Sequence, residues 1–285
     1  MNRPGIVRPP IAVLAAWLLL AGCTGMSPRT PATPLIAGAA VERPGVFRSE
    51  SGCRIATRLY RPARSAGDDL VVLAPGFLRD QSRLRDLARA LAARGFPTLT
   101  LNPCAGRLWS GRQVRNGADM RTIAHRLGAR RIVYGGFSAG ALSALVAARL
   151  DARAVGVLGL DLVDNGGIGR GMARRLAPPL IGLRGDPSPC NAGGNGRAVF
   201  AAAPQGQLAL IPGASHCDFE SPTDGLCRLL CAGDRPGAWS RRQEILQRAV
   251  RIVAGLLADP DRTARGRGLP LPRTGARAPE ADRFR

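Results

Sequence analysis

The sequence predicts an α/β fold with a mostly parallel central sheet and helices on both faces. Three observations lead there. Short runs of Val, Leu and Ile recur between residues 70 and 211, too uniformly apolar for strands with one wet face. The segments between many of them repeat their apolar residues at three and four, the spacing of a helix face. Strands and helices also alternate in chain order, as parallel neighbours require, because each crossover must return the chain to the same edge. With 285 residues, 45% apolar and 21% charged, the chain is neither wholly disordered nor a multipass membrane protein.

Leu70-Val71-Val72-Leu73-Ala74 is the first such strand and stops at Pro75-Gly76. Leu84, Leu87, Ala88, Leu91 and Ala92 then mark one helix face, which Gly95 ends. Thr98 to Leu101 is the next strand, and Met120, Ile123, Ala124 and Leu127 mark a helix closed by Gly128. Ile132-Val133-Tyr134 reads as a strand, Ser138 to Leu150 as a small-residue helix and Val155 to Leu160 as a strand. Leu180 to Leu183 and Gln207 to Ile211 are two more strands. A last helix begins at Ser240, whose spacing to Gln243 is that of a capping box, and lines up Ile245, Ala249, Ile252, Val253 and Leu256. These elements make one domain, 46–258. Residues 23–45 are rich in Pro, Ala and Thr and read as a flexible tether, and 259–285 as a disordered basic tail.

The net charge of +21 comes with 41 basic residues, every one arginine. They are scattered and aromatic content is only 4%, so no nucleic-acid partner is expected. At the N-terminus Arg3 and Arg8 precede an apolar run, Ile11 to Leu20, too short to span a bilayer but suited to an export signal, 1–22. The run ends in Leu20-Ala21-Gly22-Cys23, which resembles the lipobox of bacterial lipoproteins and implies acylation of Cys23. Thr24 in place of Asp then implies an outer-membrane or periplasmic-face location. Six cysteines remain, an even number that fits disulfides in an oxidising compartment. With no CxxC pair and two histidines in the chain, no metal site is expected.

Gly136-Phe137-Ser138-Ala139-Gly140 lies between a strand and a helix, the context that gives G-x-S-x-G its meaning. A sharp turn there would project the Ser138 hydroxyl from the sheet edge. A serine needs a base, and only two histidines are available. His125 precedes the serine on a helix, off its apolar face, and reads as solvated. His216 follows the strand at 207–211 in a loop before the last helix, and comes after the serine in chain order, so it is the candidate base. For the acid, Asp161 ends an apolar strand with no local excuse to be there, whereas Asp186 sits in a Gly-Asp-Pro turn, so the order is Asp161, Asp186, Asp164. The backbone N–H groups of Phe77 and Ala139 are the candidate oxyanion donors. Gly167 to Gly171 and Asn191 to Gly196 read as loops, the second lining the substrate entrance, and Trp109 and Trp239 as core.

Together these residues resemble the α/β-hydrolase superfamily over roughly 68–258, in its motif order: Leu73-Ala74-Pro75-Gly76-Phe77, Ala92 to Phe96, Gly136 to Gly140, His216. The stretch Gly159-Leu160-Asp161-Leu162-Val163-Asp164 is similar to the Asp-Pro-Val-Asp stretch of chlorophyllase-type hydrolases, whose triad acid lies there, although Leu162 stands where that family has Pro. The chain also resembles secreted bacterial lipase and polyester-hydrolase relatives, in which a disulfide joins the acid loop to the histidine loop. That resemblance implies Cys190 with Cys217, and then Cys53 with Cys104 and Cys227 with Cys231. Taken with the lipobox, the reading is a lipid-anchored serine esterase, monomeric, without cofactor, acting on a small-molecule or lipid ester. An acyltransferase or amidase on envelope material, or a binding lipoprotein that keeps the fold without turnover, are the alternatives.

Overall fold

A strand buried residue after residue needs cover on both faces, and the core divides accordingly. The protein, a computed structural model, is described over residues 40–49, 52–63, 67–104, 112–231 and 235–258. The strands are β1 (Val41–Arg48), β2 (Arg54–Arg61), β3 (Asp69–Ala74), β4 (Thr98–Leu101), β5 (Arg131–Phe137), β6 (Ala154–Leu160), β7 (Leu180–Arg184) and β8 (Gly206–Leu210). They form one sheet in the order β1-β2-β4-β3-β5-β6-β7-β8. β1 and β2 are antiparallel additions, and every pairing from β4 to β8 is parallel.

The helices are α1 (Arg85–Ala93), α2 (Gln113–Arg126), α3 (Ala139–Arg149), α4 (Ile168–Ala173), α5 (Arg197–Ala202), α6 (Gly225–Leu230) and α7 (Ala238–Ala258). Alternation along β3 sorts them. Val71 and Leu73 belong to the core that holds Leu87, Ala88 and Leu91 of α1 and Ile245, Ala249 and Val253 of α7. Leu70, Val72 and Ala74 face the other core, with α2, α3, α4 and α5. α3 runs through the middle of that layer and is buried at nine of its residues, from Gly140 to Ala148, which is why its composition is small and apolar all round.

The strand order also fixes where a site can form. From β3 the chain crosses to β4 on one side and then returns past β3 to β5 on the other. The loops leaving β3 and β5 therefore diverge at the carboxyl edge, opening the crevice in which α/β sheets bind ligands.

Several expectations are corrected. Residues 41–45 of the expected tether form the first part of β1, paired along its length with β2. α7 begins at Ala238, so Ser240 lies inside its first turn instead of capping it. Gly167 to Gly171 is no plain loop: Gly167, at φ 77°, starts α4. α2 begins at Gln113, well before the apolar positions that revealed it. Trp239 is 72% exposed and not core, because it falls in the first turn of α7. His125 is not merely solvated, since its Nε2 lies 2.9 Å from Asp151 Oδ1, and the Tyr134 hydroxyl donates to the other oxygen of that buried carboxylate at 2.6 Å. Trp109, Cys23, the signal segment and the basic tail lie outside the described residues.

Phe200 of α5 fills a notch left by two glycines in neighbouring strands. A Cβ at Gly182 would come within 2.3 Å of its ring, and one at Gly159 within 2.8 Å. Phe200→Ala is expected to cost about 3–5 kcal/mol, because the strands on either side cannot collapse into the space. Equilibrium denaturation with the disulfides intact reads this as a lower midpoint at unchanged slope.

Candidate active site

The turn out of β5 brings three backbones closer than any side chain would allow. A Cβ at Gly136 would lie 2.5 Å from the Gly140 carbonyl carbon, and one at Gly140 only 2.2 Å from the carbonyl oxygens of Ala74 and Pro75. Ser138 between them sits at φ 56°, ψ −123°, a conformation that L-residues rarely adopt. Its N–H is held by the Leu160 carbonyl at 2.9 Å. The strained turn lifts the hydroxyl off the sheet edge, and helix α3 starts at the next residue. Being first in that helix, the Ala139 N–H has no carbonyl one turn earlier to satisfy it.

His216 lies at the start of a 3-10 turn, His216–Phe219, after β8. Its Nε2 is 3.1 Å from Ser138 Oγ and its Nδ1 is 2.6 Å from Asp161 Oδ2. An ionised Asp161 can only accept, so Nδ1 carries the proton and Nε2 is left to accept from the serine hydroxyl. The imidazole also rests on the ring of Phe137, centroids 4.5 Å apart. Ser215 and Asp218 cap the turn reciprocally, the Ser215 N–H reaching Asp218 Oδ2 at 2.9 Å. Arg241 and Arg242 of α7 pair with the same buried carboxylate.

Asp161 follows β6 directly at φ 42° and is 2% exposed. Such a carboxylate must be fully hydrogen-bonded. The Gly185 N–H donates to Oδ1 at 3.0 Å, and Asn191 Nδ2 reaches Oδ2 at 3.2 Å. Asn191 is completely buried in a 3-10 segment, Pro189–Gly194, where its amide also donates to the Asp186 carbonyl and its oxygen accepts from Ser188 and Gly194 N–H. The stretch expected to line an entrance thus supports the acid.

The other two acids have different work. Asp186 accepts from the Gly213 N–H and pairs with Arg235. Asp164 accepts from Gly169 and Arg170 N–H in the first turn of α4.

Phe77 lies in the loop after β3. A Cβ at Gly76 would come 3.2 Å from Ser138 Cβ, so this loop passes directly beside the serine. Arg79, two residues on, grips the histidine loop. Its guanidinium donates to both oxygens of Glu220, at 2.5 and 2.8 Å, and to Asp224 at 2.7 Å. Burial works against this charge, but the hydrogen bonds to Glu220 and Asp224 outweigh it and raise the arginine's pKa. Neither partner was found from sequence. Arg79 follows Gly-Phe-Leu and Glu220 closes His-Cys-Asp-Phe-Glu, but nothing in either stretch says that they meet.

The disulfides match the expected Cys53–Cys104 pair and correct the other two, Cys190–Cys217 and Cys227–Cys231. Cys53 joins Cys104, but Cys190 pairs with Cys231 and Cys217 with Cys227. Cys217 and Cys190, expected to bond to each other, each bond instead to an end of α6. The sulfurs of Cys217, Cys227 and Cys231 lie within 4.8 Å of one another, and all three are in these disulfides.

Asp224, the N-cap of α6, is held down to about 2 by the hydrogen bond from Arg79, helped by the Cys227 N–H. A carboxylate depressed in the folded state stabilises it fully above the ordinary value of 3.8, and that stability is lost as pH falls toward about 2. Thermal unfolding followed between pH 5 and pH 2 is expected to show a decline across this window, and Asp224→Asn is expected to flatten it.

The chain has the α/β-hydrolase fold. Among solved structures it is similar to a dienelactone hydrolase-like promiscuous phosphotriesterase from metagenomic libraries, at 17% identity and TM-score 0.59 over 77% of this chain and 99% of that one. A dienelactone hydrolase from Anabaena variabilis matches at 18% identity and TM-score 0.58, over 76% and 98% of the two chains. Est1E from Butyrivibrio proteoclasticus matches at 12% and 0.58, over 76% and 99%. No protein-family model and no curated protein sequence matches the chain.

Proposed function

We propose that the protein is a serine hydrolase that cleaves carboxylic esters. The observation that carries this reading is the unbroken chain of contacts from Asp161 through His216 to Ser138, at 2.6 and 3.1 Å. A buried carboxylate, a histidine oriented by it and a serine at a strained elbow make a nucleophile and its base. Ser138 attacks the ester carbonyl while His216 Nε2 takes the hydroxyl proton, and Asp161 stabilises the imidazolium that results. The Phe77 and Ala139 N–H groups receive the oxyanion. His216 then protonates the departing alcohol, the acyl group stays on Ser138, and water deprotonated by His216 releases it.

The surroundings favour an ester with apolar parts. Phe77 and Leu78 are 50% and 69% exposed beside the serine, and Leu226, Leu229 and Leu230 of α6 are also exposed. Leu226, Leu229 and Leu230 share one face of that helix by their spacing. The location belongs to the same reading: export and acylation of Cys23 in the motif Leu20-Ala21-Gly22-Cys23 would tether the enzyme to the cell envelope. Surplus arginine would add weak attraction to anionic lipid, screened within about 10 Å at ordinary salt. No described helix is long and apolar enough to cross a membrane.

Folded protein is expected to react with a fluorophosphonate probe and to hydrolyse p-nitrophenyl esters, and Ser138→Ala to abolish both. Asp161→Asn is expected to lower kcat by about 10⁴-fold with the fold intact, as loss of the orienting carboxylate does in such triads. Asp186→Asn and Asp164→Asn are expected to leave turnover within a few-fold. Labelling that survives Ser138→Ala would sink the reading, and preferential acyl transfer to an added alcohol would make the enzyme a transferase. Metabolic labelling with a fatty acid, lost in Cys23→Ser, tests the anchor.

A further inference from the structure

Oxyanion donors on two different loops act together only if the loops keep a fixed separation. The Ala139 donor is set by the elbow, but Phe77 lies on the Gly76–Arg79 turn, closed by a single Arg79 N–H to Gly76 carbonyl bond of 3.2 Å. Leu78 in that turn sits at φ 57°, a left-handed conformation that a leucine leaves unless held. What holds it is Arg79. Its planar fork spans both oxygens of Glu220, which is fully buried, and reaches Asp224 as well. Glu220 follows the turn that bears His216, and its N–H bonds the Cys217 carbonyl at 3.3 Å. Asp224 caps α6 through the Cys227 N–H, and Cys227 is bonded to Cys217, the neighbour of His216. One guanidinium therefore measures the distance between the loop of the oxyanion donor and the loop of the base. A buried ion pair adds little stability over apolar groups of the same volume, whereas its bidentate geometry fixes position closely.

Resting on the esterase reading, we propose that Arg79 is a positioning residue for the reaction: clamped by Glu220 and Asp224, it sets the Phe77 N–H where the oxyanion forms. The oxyanion exists only after attack, so a displaced donor weakens the transition state and leaves substrate binding alone. Removing a donor outright costs about 10²–10³ in kcat, and displacing one costs less.

The test compares Arg79→Ala, Arg79→Lys and Glu220→Gln with Glu42→Gln, which removes the charge that Glu42 of β1 offers to Arg58 of β2 and Arg89 of α1, away from the site. Steady-state kinetics on a short-chain p-nitrophenyl ester and the thermal midpoint are measured for each. Expected are kcat losses of about 10–100-fold in Arg79→Ala and Glu220→Gln with KM within about twofold, and wild-type kinetics in Glu42→Gln. Arg79→Lys keeps the charge but not the fork and is expected to recover little. Added guanidinium at tens of millimolar is expected to restore part of the Arg79→Ala rate and none of the Glu220→Gln rate. Unchanged kcat in folded Arg79→Ala and Glu220→Gln, or a loss confined to KM, overturns the proposal while leaving the esterase reading in place. Absence of Ser138-dependent turnover in the unmodified protein overturns both.

Discussion

The close approach of three backbones at the end of β5 is the constraint on which the rest depends. With Gly140 packed on the carbonyls of Ala74 and Pro75, the loop leaving β3 and the helix leaving β5 have no freedom to separate. That contact forces Ser138 to positive φ, and the forced φ turns the hydroxyl off the sheet edge to meet His216. The strain is tolerable because both flanks are over-determined: β5 lies between β3 and β6, and α3 is buried along nearly its whole length. The same contact delivers the Gly76–Arg79 turn to the serine's side. The serine elbow and the turn that bears Phe77 are thus products of one packing event.

The base and the acid are placed by a second set of constraints, independent of the first. Asp161 ends β6, the neighbour of β5, so sheet register alone brings the two strand ends together: Phe137 pairs with Leu160. His216 arrives from β8, two strands further out, on a loop that must reach back across β7. Nothing in the sheet fixes such a loop, and the structure supplies the ties separately: Ser215 with Asp218, Arg241 and Arg242 on Asp218, and the disulfide at Cys217. Asn191 does the equivalent for the acid, reaching Asp161 from a segment beyond β7.

What the sequence made legible follows the same division. β3 through β7 and α1, α2, α3 and α7 announce themselves because they are buried, and burial writes a pattern into the residues; β8 is only half-buried and shows through its run of apolar residues. β1 and β2 do not, since β1 alternates exposed and half-buried positions and carries Arg43, Pro44 and Gly45, which read as tether. α4, α5 and α6 are too short to show a helical period. Ser138 and His216 were legible by motif and by scarcity, and Asp161 by being a charge at the tip of an apolar strand. Asn191, Arg79 and Glu220 were not, because each matters through a partner far away in sequence, and one chain offers no sign of such pairs. The cysteines show this most directly: their even number was informative, while the pairing depends on where α6 docks.

The observed pairing gives α6 a role that a direct Cys190–Cys217 bond would not. That bond would tie the acid-supporting segment to the histidine loop and leave the loop of Phe77 and Arg79 out. As built, Cys227 ties α6 to the neighbour of His216, Cys231 ties it to the neighbour of Asn191, and Asp224 ties it to Arg79. A six-residue helix thus meets the histidine loop, the segment whose Asn191 supports Asp161, and the loop that carries Phe77 and Arg79. Those ties use its inward face, and Cys227 is its one buried residue. The helix has no freedom to roll, so Leu226, Leu229 and Leu230 must point away from the protein. Exposing three leucines costs solvation that polar residues would avoid at no loss to the ties. Under the proposed function these leucines, like the exposed Phe77 and Leu78, would meet an apolar ester or the surface that presents it.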